Sequence, residues 1–209
     1  MKKKEFLDAK ESALKSLEDA CAEQKVDEGI LPILDLINDI EGFYTSSSCA
    51  GRIILMEIPQ IGDKRGATFL GVWHRTIEPK ELTAAATKAT TGLLWLLAQA
   101  PILHIGTQTL DLADRMVKTA ISCGFKNSAV KSTGKKIMIE ICSTERLDAP
   151  IGRDGCLFCE EEYLSLLVEI SNEVIERSQK KIGRFAKKIG KFDDFLVKLT
   201  KHLYIMLIY

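Results

Sequence analysis

The sequence predicts an α+β protein: a mixed, partly antiparallel sheet flanked by helices, not a doubly wound Rossmann fold, followed by long C-terminal helices. Three observations lead there. Segments with apolar residues at three- and four-residue steps alternate along the chain with short Ile-, Leu- and Val-rich runs that suit strands. Several of those runs are joined by short glycine-containing loops, the mark of hairpins. No G-x-G-x-x-G follows any strand, and no acidic residue stands about twenty positions beyond such a loop, as a dinucleotide-type fold requires. The 209 residues are enough for one good-sized domain. The expected division is 1–190 as a single α+β domain and 191–209 as an apolar C-terminal helix that packs on it or on a partner.

The elements follow in order. Residues 5–23 read as a helix with a stripe of Leu7, Leu14, Leu17 and Cys21. A second helix, from Leu31 to Ile40, has Pro32 in its first turn and delivers the chain into a serine-rich turn. Arg52–Ile58 and Thr68–His74 read as an antiparallel hairpin, which brings Arg52 and His74 to one end of it. Pro79 opens a helix running to about Thr91. Leu93–Ala98 and Ile102–Gly106 read as strands, and Leu110–Cys123 as a helix closed by Gly124. Strands are expected at Phe125–Lys131 and Lys136–Ser143, separated by a turn at Ser132–Lys135, and an irregular loop at Leu147–Gly155. Residues 160–189 form one long helix, with Leu164, Val168, Ser171, Ile175, Ser178, Ile182, Phe185 and Ile189 on its buried stripe.

Composition narrows the functional classes. Apolar residues make up 46% and charged residues 28%, which places the chain among globular proteins. Lys+Arg and Asp+Glu are both 29, so the formal charge is zero. Any nucleic-acid contact must therefore come from local positive charge. Lys2–Lys4 and the run Lys180–Lys188 are the places for it; the competing reading of both is a solvated helix face. No secretory signal and no apolar run of membrane-spanning length are visible. A reducing compartment, the cytoplasm, is expected, with the six cysteines mostly free, buried thiols. Cys156 and Cys159 have C-x-x-C spacing but no second pair, and read as ordinary core and turn residues, the alternative being a disulfide or a metal shared with a partner. The expected state is a monomer or weak dimer.

The chemistry concentrates in Tyr44–Arg52. Four aliphatic hydroxyls, a thiol, a glycine and an arginine stand together in its last eight residues. Hydroxyls and backbone N–H groups at a tight glycine-containing turn suit an anion or a polar ligand edge, and Arg52 suits a carboxylate or phosphate. The bland alternative is a turn whose side chains bond their own backbone. Cys49 could pack, react or line a pocket. His74 and His104 end apolar strands, where a lone histidine is commonly structural. Asn127 and Ser128 could contact a substrate or stabilise their turn, and Ser143 and Thr144 could bind a ligand or cap a turn. Trp73 and Tyr44 could stack on a base or pack in the core.

Phe43–Ile53 resembles the signature of the tRNA wybutosine-synthesising protein 3 family. Phe69–His74, Pro101–Ile105, Ser122–Ser128 and Glu140–Thr144 with Leu147–Pro150 resemble further family blocks, in the family's order, with Ala129 where glycine is usual. The resemblance implies a transferase that uses S-adenosyl-L-methionine to methylate a ring nitrogen, N4, of the 7-aminocarboxypropyl-demethylwyosine base beside the anticodon of tRNA(Phe). It also implies roles for residues. His74 or His104 serves as base or base relay, since such a displacement needs alignment and removal of a proton from the nitrogen. Ser47, Ser48, Cys49, Arg52, Asn127, Ser128, Ser143 and Thr144 become binding residues, with Arg52 matched to a carboxylate. Two other classes compete: a non-catalytic tRNA- or nucleotide-binding protein with the serine-rich loop as phosphate cradle, and a cysteine-dependent enzyme pairing Cys49 with a histidine.

Overall fold

The computed structural model describes residues 3–63 and 65–192. In chain order the elements are α1 (Lys3–Ala22), a 3-10 turn (Glu28–Ile30), α2 (Leu31–Asp39), β1 (Phe43–Cys49), β2 (Arg52–Ile58), β3 (Thr68–Trp73), α3 (Pro79–Ala86), β4 (Leu93–Gln99), β5 (Ile102–Thr107), α4 (Leu110–Ser122), β6 (Ala129–Thr133), β7 (Ile137–Cys142), β8 (Arg146–Arg153), β9 (Cys156–Leu157) and α5 (Glu161–Ile189). The α+β class holds, and the strands divide between two sheets, ordered β1-β5-β7-β6 and β3-β2-β4-β8-β9. The expected helix beyond residue 192 lies outside the described residues.

The chain makes two compact units. The first takes the chain up to Ser48, Leu103–Cys142 and the chain from Lys181 on; the second takes Cys49–Ile102 and Ser143–Lys180. In the first, Phe43, Leu103, Ile105, Ile139 and Ile141 of the sheet are fully buried, as are Met116 and Ala120 of α4. Phe125 meets Phe185 edge-on at 5.7 Å. α1 covers sheet residues through Phe6, whose ring lies 5.5 Å from that of Tyr44. Its buried residues are Phe6 and Ala9, with Ala13 beside them. Of the expected stripe, Leu14, Leu17 and Cys21 are half-buried, and Leu7 is 48% exposed.

In the second unit, β2 pairs with β3 from Ile53↔Trp73, so Arg52 and His74 flank the same end, as the hairpin reading expects. β4 alternates buried and half-buried residues along its length. Leu94, Leu96 and Ala98 join Ile53, Leu55, Leu82, Leu164 and Val168 in one apolar core. The stripe expected on the long helix is buried throughout: Leu164, Val168, Ser171, Ile175, Ser178, Ile182, Phe185 and Ile189. Its two serines satisfy their hydroxyls by donating to the carbonyls of Leu167 and Val174 one turn back.

Four expectations are corrected. The serine-rich stretch is a strand, β1, and only Ala50–Gly51 turns. α3 stops at Ala86 because the Glu57 carboxylate captures the Thr90 and Thr91 N–H groups, which unwinds the chain before Gly92. The strand expected at Phe125–Lys131 begins only at Ala129 and runs on to Thr133. The Ser128 hydroxyl bonds back to the Phe125 carbonyl and turns the preceding residues. The loop expected at Leu147–Gly155 is β8, paired antiparallel to β4 from Leu93↔Arg153 to Gln99↔Arg146. Pro150 and Gly152 suggested a loop, but a register shift accommodates Pro150, and Gly152 lets β9 approach, since a Cβ there would lie 2.2 Å from the Cys156 carbonyl oxygen.

Candidate active site

β1 is held by its neighbours in the first unit. The Thr45 N–H donates to Asn38 Oδ1 of α2 at 2.7 Å, and Asn38 Nδ2 donates to Thr45 Oγ1 at 3.0 Å. That spends one of the four hydroxyls on structure. Tyr44 is buried over Gly106, where an added Cβ would fall 2.1 Å from its ring, so Tyr44 is a core residue rather than an open stacking platform. Ser46, Ser47 and Ser48 remain for chemistry.

Those serines lead into an array that crosses the first sheet strand by strand. His104 of β5 sets Nδ1 2.9 Å from the Ser47 carbonyl oxygen and 3.0 Å from Ser47 Oγ of β1. Its Nε2 lies 3.2 Å from Glu140 Oε2 of β7. The other Glu140 oxygen takes Lys131 Nζ of β6 at 2.8 Å. A hydrogen bond from Lys131 holds the Glu140 carboxyl below its usual range, with His104 acting in the same direction and partial burial against it. Lys131 is raised in turn by that bond. Both ring nitrogens of His104 are therefore engaged, and the ring is fixed in the sheet.

Beside this array, a groove of about 540 Å³ opens between α1 and the sheet. Ser46, Ser47, Ser48, Tyr44 and Met138 line it from the strands, and Lys25 and Lys136 stand at it. The Ser48 hydroxyl oxygen is buried and, among the described residues, has no hydrogen-bond partner. Such a group costs free energy unless something else satisfies it.

The second unit carries the rest of the signature. Gly51 turns β1 into β2 at φ 98°, where a Cβ would lie 2.8 Å from the Gln99 carbonyl oxygen. Arg52 Nε donates to Gln99 Oε1 at 3.1 Å. Among the described residues no carboxylate pairs with Arg52, so the outer edge of its guanidinium stays open. Cys49 Sγ lies 3.9 Å from Nδ1 of His74, whose ring is exposed. The Ser143 hydroxyl donates to Glu145. Thr144 is exposed beside it.

The site residues thus separate. Ser47, Ser48 and His104 belong to the first unit, and Cys49, Arg52, His74, Ser143 and Thr144 to the second. Ser128 is buried and committed, donating to the Phe125 carbonyl and accepting from the Cys142 N–H. Asn127 anchors the same turn through its N–H to the Cys142 carbonyl, with its side chain exposed. Sequence reasoning missed Glu140, Lys131 and Gln99 as partners of site residues. Glu140 alone carried a signal: it is the charged residue in the alternating β7 run.

Known proteins match closely. A family model described as Methyltransferase TYW3 matches residues 4–191. A tRNA(Phe) 7-((3-amino-3-carboxypropyl)-4-demethylwyosine(37)-N(4))-methyltransferase 1 of Pyrococcus horikoshii is 49% identical over 169 residues, covering 80% of this chain and 86% of its own. The Methanocaldococcus jannaschii methyltransferase of the same description is 39% identical over 173 residues, covering 82% and 90%. A solved structure of a Pyrococcus horikoshii protein superposes with a TM-score of 0.87 at 47% identity, covering 90% of this chain and 97% of its own. The crystal structure of a hypothetical protein from Aeropyrum pernix gives 0.69 at 26% identity, covering 79% and 98%. Among the described residues no helix is long and apolar enough to cross a membrane.

Proposed function

This chain belongs to the TYW3 methyltransferase family and is a methyltransferase of tRNA wybutosine synthesis, and from that premise we propose that it methylates N4 of the 7-aminocarboxypropyl-demethylwyosine base of tRNA(Phe) with S-adenosyl-L-methionine as donor. The observation that carries the donor is the groove that Ser46, Ser47 and Ser48 line. Its volume falls in the usual small-molecule range, and its lining mixes apolar surface with a few polar groups, as adenosine-bearing ligands require. Ser46, Ser47 and Ser48 would hold polar edges of that molecule, and Lys25 or Lys136 would suit its carboxylate. When bound, the donor supplies an electrophilic methyl group on a sulfonium.

The chain's own residues then have separable tasks. His104 is fixed in the sheet by Ser47 and Glu140, so we give it the task of orienting Ser47; His74 has the more exposed ring, and to it we give removal of the proton from the ring nitrogen, the work of a general base. Arg52, steadied by Gln99, presents its open edge to the carboxylate of the aminocarboxypropyl group of the base. The cytoplasm is the expected compartment, consistent with free cysteines.

Calorimetric titration with S-adenosylmethionine tests the reading, with single-turnover methylation of the modified tRNA(Phe) alongside. Saturable binding is expected, and Arg52→Ala should weaken the carboxylate-bearing partner by about ten- to a hundredfold, the worth of a charged hydrogen bond. His74→Ala should keep donor binding and lose turnover. No donor binding, with tRNA present or absent, sinks the reading. The 3.9 Å Cys49–His74 contact favours one rival, a cysteine nucleophile. That rival requires Cys49→Ser to abolish turnover, whereas the methylation reading expects Cys49→Ser to be milder than Arg52→Ala.

A further inference from the structure

α5 is divided by charge. Residues 160–176 hold six glutamates and no basic residue, whereas 181–192 hold Lys181, Arg184, Lys187, Lys188 and Lys191 and no acid. The second half belongs to the first unit, where Lys181 is buried and the other four are exposed. Arg184, Lys187, Lys188 and Lys191 recur at three- and four-residue steps, so they form one ridge. Arg184 donates through Nε and Nη2 to the Cys123 carbonyl at the end of α4, at 3.2 and 3.0 Å. Lys188 Nζ donates to Ser122 Oγ at 2.7 Å. These bonds pin the ridge on α4 without neutralising it. Among the described residues no carboxylate pairs with Arg184, Lys187, Lys188 or Lys191.

The ridge borders a depression of about 380 Å³ that is lined by Arg115, Lys118, Thr119, Lys188, Lys191 and Phe192. Arg115 lies 4.9 Å over the Phe192 ring, which orients its guanidinium. Lys118 pairs with Asp114 on the same helix face, an exposed pair of small worth. Asp193 and Asp194 follow in sequence, outside the described residues. Uniform sign along a pinned helical ridge, in a chain of zero net charge, is the arrangement that attracts a polyanion.

We propose that this ridge and depression dock the sugar–phosphate backbone of a tRNA stem, so that the unit carrying Ser47 and His104 also grips the substrate. The proposal rests on reading the chain as a tRNA methyltransferase. Lys187 and Lys191, exposed and outside the hydrogen bonds that pin the ridge, are the phosphate-contacting residues to test.

The experiment follows binding of fluorescently labelled tRNA(Phe) to the full chain by anisotropy between about 50 and 200 mM salt. Each phosphate contact contributes about 0.9 to the slope of log affinity against log salt. The double variant Lys187→Glu/Lys191→Glu should therefore lose nearly two units of slope, and the wild type should fall about tenfold further over that salt range than the variant does. Lys187→Gln/Lys191→Gln should lose the same slope with less loss of affinity; it keeps the argument decidable if the reversal disturbs folding. Phosphate contacts carry no sequence information, so an unrelated tRNA should be weakened by the same factor. Donor binding should be unchanged in both variants. Unaltered slope in a folded variant overturns the ridge while leaving the methyltransferase reading intact. A loss confined to tRNA(Phe) overturns it in favour of base recognition. A wild type that binds donor but no tRNA overturns both the ridge and the tRNA substrate.

Discussion

His104 shows how little a residue type says about its role until its partners are known. As a strand-end histidine it was a candidate base. In the sheet it is a cross-brace, held by Ser47 on one side and by Glu140 with Lys131 on the other. Glu140 offers a pH test of that brace. Its folded carboxyl is held low, chiefly by Lys131, so its stabilisation is present above the ordinary carboxylate value and is lost as pH falls through the lowered one. Glu140→Gln should lower the melting temperature at neutral pH. The gap should close as pH falls below the ordinary carboxylate range, and its size should be that of a partly solvated ion pair, about 0.2–1 kcal/mol. A pH-independent gap would mean that packing, not the charge, holds the ring. Ser128 went the other way: its hydroxyl, a candidate ligand contact, is consumed by the turn it stabilises.

At the level of elements, the signature is a strand and not a loop. β1 presents Ser46–Ser48 from a paired backbone, which fixes those hydroxyls better than a mobile turn would. The single sharp bend falls at Gly51, against the β4 backbone at Gln99. Gly51→Ala must hold a left-handed conformation and push on a carbonyl, so it should cost roughly 1–3 kcal/mol in chemical denaturation. It should also disturb Arg52, the next residue, whose guanidinium depends on Gln99 of the same strand. Loss of stability with Arg52-dependent binding intact would separate the two effects. The long helix was fully legible, since its stripe repeats over eight buried positions. β8 was not: Pro150, Gly152 and Asp148 carry loop chemistry, and only pairing with β4 turns them into a strand.

Across the whole molecule, both units are built from separated stretches of chain. β1 stands at the edge of its sheet beside β5 alone, and β4 takes β2 on one side and β8 on the other. A fragment ending at Ile102 therefore lacks the partner of β1 and one partner of β4, together with all of α5. It should show neither a cooperative thermal transition nor the circular dichroism of its share of strands; a folded fragment would contradict the interleaving. Local pattern determined what depends on local physics. Helical periodicity, hairpin punctuation, the absence of a nucleotide-binding glycine loop and the family blocks gave the α+β class, most elements and the methyltransferase family. Tertiary structure decided what depends on residues far apart in sequence. Glu57 ends α3, and Ser47 and Glu140 brace His104, while among the described residues nothing satisfies the Ser48 hydroxyl. The physical reason is that a polar group's role is set by the partner that reaches it, and across a sheet that partner lies tens of residues away.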